Sequence, residues 1–207
     1  MKVTVRKYEQ SKVITFSSTK GKFGGLSNMA PGYSLFVNEV NIPNSEALYQ
    51  ACRFPLFPDI QEEIISKKSP MDAKKISRKY IKYTRQDWES VKFDIMRWSL
   101  KVKLIQNNDI FSDLLKLTEN KTIVEYSTKD KVWGATPIND NFLEGKNALG
   151  RLIMELRQNF IIDKNNFDYV APLNIPAFIL FNNPIGKVYS TEYNLIDFSE
   201  PTEFELA

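Results

Sequence analysis

Residues 87–106, DWESVKFDIMRWSLKVKLIQ, decide how this chain folds. Trp88, Val91, Ile95, Trp98, Val102 and Ile105 recur at alternating steps of three and four. That spacing gathers them into one apolar stripe on a long α-helix. On the C-terminal side of this helix, residues 109–117 predict a shorter helix and Thr122–Tyr126 a strand. A polar stretch, 127–146, reads as a loop. Another helix is expected from Asn147, with Leu149, Leu152, Ile153, Leu156 and Phe160 as its apolar face.

On the N-terminal side, Ser69-Pro70-Met71-Asp72 is a helix start, for a helix carrying Ala73, Ile76 and Tyr80. A short helix over 59–66 precedes it. Asn44 or Ser45 can cap a helix running to about Phe54, with Ala47, Leu48, Ala51 and Cys52 on its apolar side, stopped by Pro55 and Pro58. Residues 1–43 read as short strands (Val3 and Val5, Val13 to Phe16, Tyr33 to Val37), a turn at 17–21 and a glycine-softened loop, Phe23 to Asn28. Near the end, Ala177–Phe181 is a strand candidate and Asn182-Asn183-Pro184 a turn. The expectation is a single α+β domain, helix-rich in the middle with a few short strands. It covers 1–160, and 161–207 form a C-terminal extension packed on it, with a mobile acidic end from Glu200 to Glu205.

The 207 residues include no histidine. That excludes Ser-His and Cys-His nucleophiles and any His-ligated metal, so acid–base work near neutral pH falls to carboxylates, lysine or tyrosine. No metal site and no cofactor is expected. A net charge of +3, from 28 Lys+Arg against 25 Asp+Glu, is too mild to argue nucleic-acid binding by itself. Cys52 is the lone cysteine, which fits a reducing compartment. The N-terminus lacks the long apolar core of a signal peptide, and no apolar run approaches the roughly 20 residues of a spanning helix. A soluble, cytoplasmic protein is the expectation.

Four segments can carry chemistry. Glu46 falls in the first turn of the 44–54 helix, with Gln50 and Arg53 at i+4 and i+7 on the same side. The plain alternative is an acid that complements the helix dipole, worth about 0.3–1 kcal/mol. Trp88 continues an apolar stripe and so reads as core. As its terminal member, however, it can also face a cleft and stack on a base or ribose. Asp130 belongs to a charged loop, and the large aromatic Trp133, followed by Gly134, gives a reason for that loop to be packed. Gly145 to Arg151 offers Asn147 as an N-cap and Gly150 as cleared space. With Lys146, Arg151 and Arg157 nearby, it reads either as a phosphate cradle or as an ordinary capped surface helix.

Phe23…Leu26-Ser27-Asn28, Ser45 to Gln50, Asp87-Trp88-Glu89…Met96, Lys103 to Asn107, Glu125…Asp130…Trp133-Gly134, Gly145…Asn147 to Gly150 and Met154…Arg157 stand in an order that resembles the NADAR (YbiA-like) family, over roughly residues 14–158. The resemblance implies an N-glycosidase. Some members of the family act on phosphorylated ribosylamine intermediates of riboflavin synthesis. Others remove ADP-ribose from guanine in nucleic acid, as antitoxins to an ADP-ribosyltransferase. Matched by motif, its catalytic acids correspond to Glu46 and Asp130, and its functional tryptophan to Trp88. Substrate-binding positions are expected at Phe23, Ser27, Asn28, Arg53, Trp133, Gly134, Asn147 and Gly150. Lys103 is a further candidate, as a phosphate ligand or an amine nucleophile, against the alternative of a solvated helix residue. Where many relatives place a histidine after the first acid, this chain has Ala47.

Three functions remain open on sequence. The first is an N-glycosidase removing ADP-ribose from guanine in DNA, RNA or nucleotides, paired with a cognate ADP-ribosyltransferase toxin. The second is an N-glycosidase acting on phosphorylated ribosyl intermediates. The third is a silent ADP-ribose or nucleotide binding module. No membrane partner is expected. The first two require Glu46 and Asp130 to meet around one ribose.

Overall fold

A computed structural model describes residues 4–162 and 168–190. The first part of the chain supplies β1 (Arg6–Glu9), β2 (Val13–Phe16), β3 (Leu35–Val37) and β4 (Val40–Ile42). A helical block follows: α1 (Ser45–Ala51), α2 (Pro58–Ile65), α3 (Pro70–Lys79), α4 (Trp88–Gln106) and α5 (Asn108–Lys116). Then come β5 (Thr122–Glu125), β6 (Thr136–Asn139), β7 (Phe142–Gly145) and α6 (Ala148–Ile162). Four two-residue strands close the described chain: β8 (Tyr169–Val170), β9 (Ile179–Leu180), β10 (Asn183–Pro184) and β11 (Val188–Tyr189). The α+β reading holds.

Helix α4 is the axis of the molecule. All six residues of its predicted stripe are buried, and in its C-terminal half burial spreads to Ser99, Leu100, Lys103, Leu104 and Gln106. A helix buried on more than one side needs neighbours all round, and α4 packs against α1, α5, α6, β3, β8 and β11. Two polar side chains on it act as clamps. Gln106 donates to the Phe36 carbonyl and accepts from its N–H, both at 2.8 Å, taking the place of a strand partner for β3. Trp98 stacks edge-on against Phe178 and donates Nε1–H to the Ala171 carbonyl at 3.0 Å.

The short strands pair in small sheets. β2 runs parallel to β5, with Ile14 opposite Ile123 and Phe16 opposite Glu125. β7 lies between β1 and β6, antiparallel to both. This last sheet corrects the expectation of a loop over 127–146. Thr136–Asn139 and Phe142–Gly145 form a hairpin whose turn is held by Asn139 Oδ1, which accepts from the Asn141 and Phe142 N–H groups. Of the predicted N-terminal strand, Met1 to Val3 lie outside the described residues, and the pairing starts at Arg6. The turn expected at 182–184 is shifted: Phe181 and Asn182 both have positive φ and make the bend, while Asn183 and Pro184 pair back onto β9.

Within the described part of the C-terminal stretch, Gln61 of α2 donates to the Ile179 carbonyl and accepts from the Phe181 N–H. The acidic end from Glu200 to Glu205 lies outside the described residues. Among the described residues, no helix is long and apolar enough to cross a membrane.

Candidate active site

Asn44 caps α1 as its sequence predicts, its Oδ1 accepting from the Ala47 N–H at 2.9 Å. This fixes the first turn, and with it Glu46, only 4% exposed. Each carboxylate oxygen of Glu46 takes one amide donor: Oε2 from Asn28 Nδ2 at 2.7 Å and Oε1 from Gln50 Nε2 at 2.8 Å. The i+4 spacing of Gln50 puts it over the acid, while Asn28 arrives from the loop between β2 and β3. Glu46 is therefore a buried carboxylate locked in one orientation, with neither donor carrying a charge.

The loop that brings Asn28 is itself pinned by Lys103. Its Nζ donates to the Gly25 carbonyl at 2.6 Å and the Ser27 carbonyl at 3.1 Å, and sits 4.0 Å from the Tyr33 ring centre and 4.4 Å from that of Phe111. Burial pushes this amine down to about 7. The two carbonyls and two ring faces act the other way, since both favour an ammonium. Lys103 is thus neither a solvated helix residue nor a phosphate ligand at the cavity. It is a buried anchor for the 25–28 loop.

Asp130 is placed by a tight turn after β5. Its N–H donates to Ser127 Oγ, and its Oδ1 accepts from the Val132 and Trp133 N–H groups at 2.8 and 2.9 Å. That leaves Oδ2 without a protein partner among the described residues. Trp133 packs against Phe93 and Tyr49, with ring centres 5.1 and 5.7 Å away, which ties the turn to α4 and α1. Trp88 meets Tyr49 at 5.1 Å and lies under the Arg53 guanidinium at 5.2 Å. It is at once a core residue and part of a cavity wall.

One cavity of about 330 Å³ collects Glu46, Asp130, Trp88, Trp133, Arg53 and Asn28. The two acids predicted from distant segments therefore share a hollow. The same cavity is lined by residues absent from the predicted set. Lys74 and Arg78 stand one turn apart on α3, and Lys92 stands one turn beyond Trp88 on α4. Tyr49 and Gln50 of α1 also face it, as does Glu125 at the end of β5. Burial, then the neighbouring Asp130 and Glu46 charges, push the Glu125 carboxyl up to about 7, with Lys74 acting against them. Burial also drives the Tyr49 hydroxyl well above its ordinary range, and the Glu46 charge adds to the effect. Spacing could have found the cations, since i and i+4 on one helix share a face, but solvated helices show the same pattern.

Other predicted positions are not brought there. The phosphate cradle at the start of α6 is a correction. The N–H groups of Asn147, Ala148 and Leu149 already donate to the Gly134, Val132 and Trp133 carbonyls at 3.0 Å. Asn147, at φ +50°, caps nothing. Its Oδ1 accepts from the Glu125 N–H and its Nδ2 donates to the Ile123 carbonyl, clamping β5 to the helix. Gly150 clears space for a backbone and not for a ligand, since a Cβ there would come within 2.3 Å of the Ile123 oxygen. Arg157 is buried against Thr118 and the Lys121 carbonyl. Phe23, Ser27, Gly134, Lys146 and Arg151 do not line the cavity either; Ser27 and Gly134 act through the loops they shape.

A larger hollow of about 660 Å³, lined by Leu56, Phe57, Tyr83 and Pro176 among others, has Asp87 as its carboxylate. Arg85 binds both oxygens of that acid, so little is left there for chemistry. Among the described residues no cluster of three metal-ligating side chains occurs.

Known proteins resemble this chain over most of its length. The NADAR domain family matches residues 14–161. The N-glycosidase YbiA of Escherichia coli is 37% identical over 155 residues, covering 75% of this chain and 92% of that protein. The riboflavin biosynthesis protein VVA0006 of Vibrio vulnificus is 30% identical over 84% of this chain and 44% of its own length. The NMR structure of E. coli YbiA superposes with a TM-score of 0.64 at 35% identity, over 77% of this chain and 90% of that one.

Proposed function

This chain belongs to the NADAR domain family and is, like its N-glycosidase relatives, a hydrolase of N-glycosyl compounds; we propose that its substrate is guanine carrying ADP-ribose, in nucleic acid or as a nucleotide. The observation that carries the reading is the meeting of Glu46 and Asp130 in one cavity that also presents Arg53, Lys74, Arg78 and Lys92. Breaking an N-glycosidic bond puts positive charge on the ribose C1′. A carboxylate held rigidly beforehand stabilises that charge without reorganising when it forms. Glu46, locked by two neutral amides, suits this role. Asp130, with Oδ2 unengaged, suits holding the attacking water. The tryptophans would wall the ribose and base, and four cations match a diphosphate better than a single phosphate.

In this reading the protein reverses the modification made by an ADP-ribosyltransferase toxin. A silent binding module is disfavoured by the acids, because the Glu46 and Asp130 carboxylates would repel a phosphorylated ligand for no return. A second reading, hydrolysis of phosphorylated ribosylamines of riboflavin synthesis, draws support from the name of the Vibrio vulnificus relative. Incubation with ADP-ribosylated guanine oligonucleotide, free ADP-ribosyl guanosine and ribosylamine phosphates, scored by mass for release of ADP-ribose or of ribose phosphate, tests both. Release from the first two with little from the third is expected. Release confined to ribosylamine phosphates would sink the ADP-ribose reading.

A further inference from the structure

We propose that Glu125 is a third catalytic carboxyl, the proton donor to the nitrogen that leaves C1′. This rests on the N-glycosidase reading and assigns a task that Glu46 and Asp130 cannot share. Neither group suits donation: Glu46 already accepts a hydrogen bond at each oxygen, and Asp130 has Oδ1 committed to two backbone N–H groups. Glu125 lines the same cavity with no side-chain hydrogen bond of its own among the described residues, while its backbone is held on both sides. Its N–H donates to Asn147 Oδ1 at 3.0 Å, and its carbonyl accepts from the Ala135 N–H at 2.8 Å.

The groups facing it are Asp130 from the turn after β5, Lys74 from α3 and Glu46 from α1. Arg53, Arg78, Lys92 and Tyr49 line the rest of the hollow. Burial and the two acids keep the proton on Glu125 up to about pH 7, close to the pH at which a general acid is most effective.

The step balances as follows. The C1′–N electron pair moves onto the nitrogen, which takes the proton of the Glu125 carboxyl and departs neutral. Glu125 becomes a carboxylate and C1′ an oxocarbenium ion. Water then adds its oxygen to C1′ and yields a proton to Asp130, and exchange with solvent removes that proton from Asp130 and returns one to Glu125. Net hydrolysis consumes one water.

The test uses the pH–rate profile of the wild type, E125Q and E46Q, on whichever of the three substrates above is hydrolysed. Gln is neutral and nearly isosteric with the protonated acid, so E125Q should fold, and its melting temperature at pH 5 should match the wild type. Because the acid form is the active one, wild-type turnover should be full below about 7 and fall as pH rises through it. E125Q should lose about 10²-fold or more at pH 6 and also lose that alkaline fall, whereas E46Q should be slow yet keep it. An E125Q enzyme within about threefold of wild type, or a slow one with the same fall near pH 7, would overturn the proposal while leaving the N-glycosidase reading intact. A wild type silent on all three substrates would overturn both.

Discussion

Two asparagines, Asn44 and Asn147, precede helices that carry site motifs, and in sequence they look alike. Both are fully buried. The first is a true cap: extended backbone at φ −169°, with a side chain that accepts from the third residue along. Its helix turns Glu46 into the cavity. The second has φ +50° and no capping role; the N–H groups that follow it are consumed by carbonyls of the Asp130 turn. The difference lies in where the orphan N–H groups of each helix go. In α1 a side chain satisfies one of them, and Glu46 in that turn faces the cavity. In α6 a neighbouring loop occupies them, and the helix start becomes the scaffold that holds β5, Glu125 and Asp130 in place.

The largest effect should come from the α1 side of this comparison, which carries Glu46 into the cavity. Glu46→Gln and Asp130→Asn should each cut turnover by at least about 10²-fold with the fold intact, since each removes a charge and keeps the shape. Product release by mass and thermal melting together check this. Near-normal rates in both variants would place the chemistry elsewhere.

The scaffold side should respond in the opposite sense, through stability. Asn147→Ala strips partners from the buried Glu125 N–H and Ile123 carbonyl and leaves alanine at a positive φ, so a loss of about 3 kcal/mol is expected. A phosphate cradle would predict something else: an unchanged denaturation midpoint and a weakened KM. Gly150→Ala should cost a similar amount, about 3 kcal/mol, because its Cβ would fall 2.3 Å from the Ile123 backbone oxygen and 2.6 Å from the Asn147 amide that clamps β5. Urea melts of both variants measure these losses, and a fully stable Gly150→Ala would mean that the helix and β5 are not pressed together.

This contrast also shows what the sequence could and could not carry. Helices α1 to α5 were legible because their apolar periods, caps and prolines are local; Asn44, Ser69 and Pro70 act on residues three or four away. The hairpin β6–β7 was not legible. Pro137, Asn139 and Asn141 read as loop chemistry, and what makes strands of their neighbours is pairing with Arg6–Glu9, about 130 residues earlier in the chain. At the site, Glu46, Trp88 and Asp130 were found through motif order. Lys74, Arg78 and Lys92 were passed over because a basic helix face has the same pattern whether it faces water or a cavity. Lys103 was misplaced for a related reason: nothing in its spacing announces that two aromatic rings and two carbonyls converge on it.

The smallest effect expected is also the finest probe of the comparison. Asn44→Ala should lower stability by about 1 kcal/mol, as the loss of one helix cap does, which for a chain of this size is a shift in melting temperature of about 2–4 °C. Asn44→Ser should recover most of that loss, because a serine oxygen can accept from the Ala47 N–H as the asparagine does. The same exchange at position 147 should recover little. A serine there has one short side-chain oxygen and cannot both accept from Glu125 and donate to Ile123 across the gap that the amide spans. If Asn147→Ser were as well tolerated as Asn44→Ser, the second asparagine would be a cap after all, and the first turn of α6 would again have N–H groups to offer an anion.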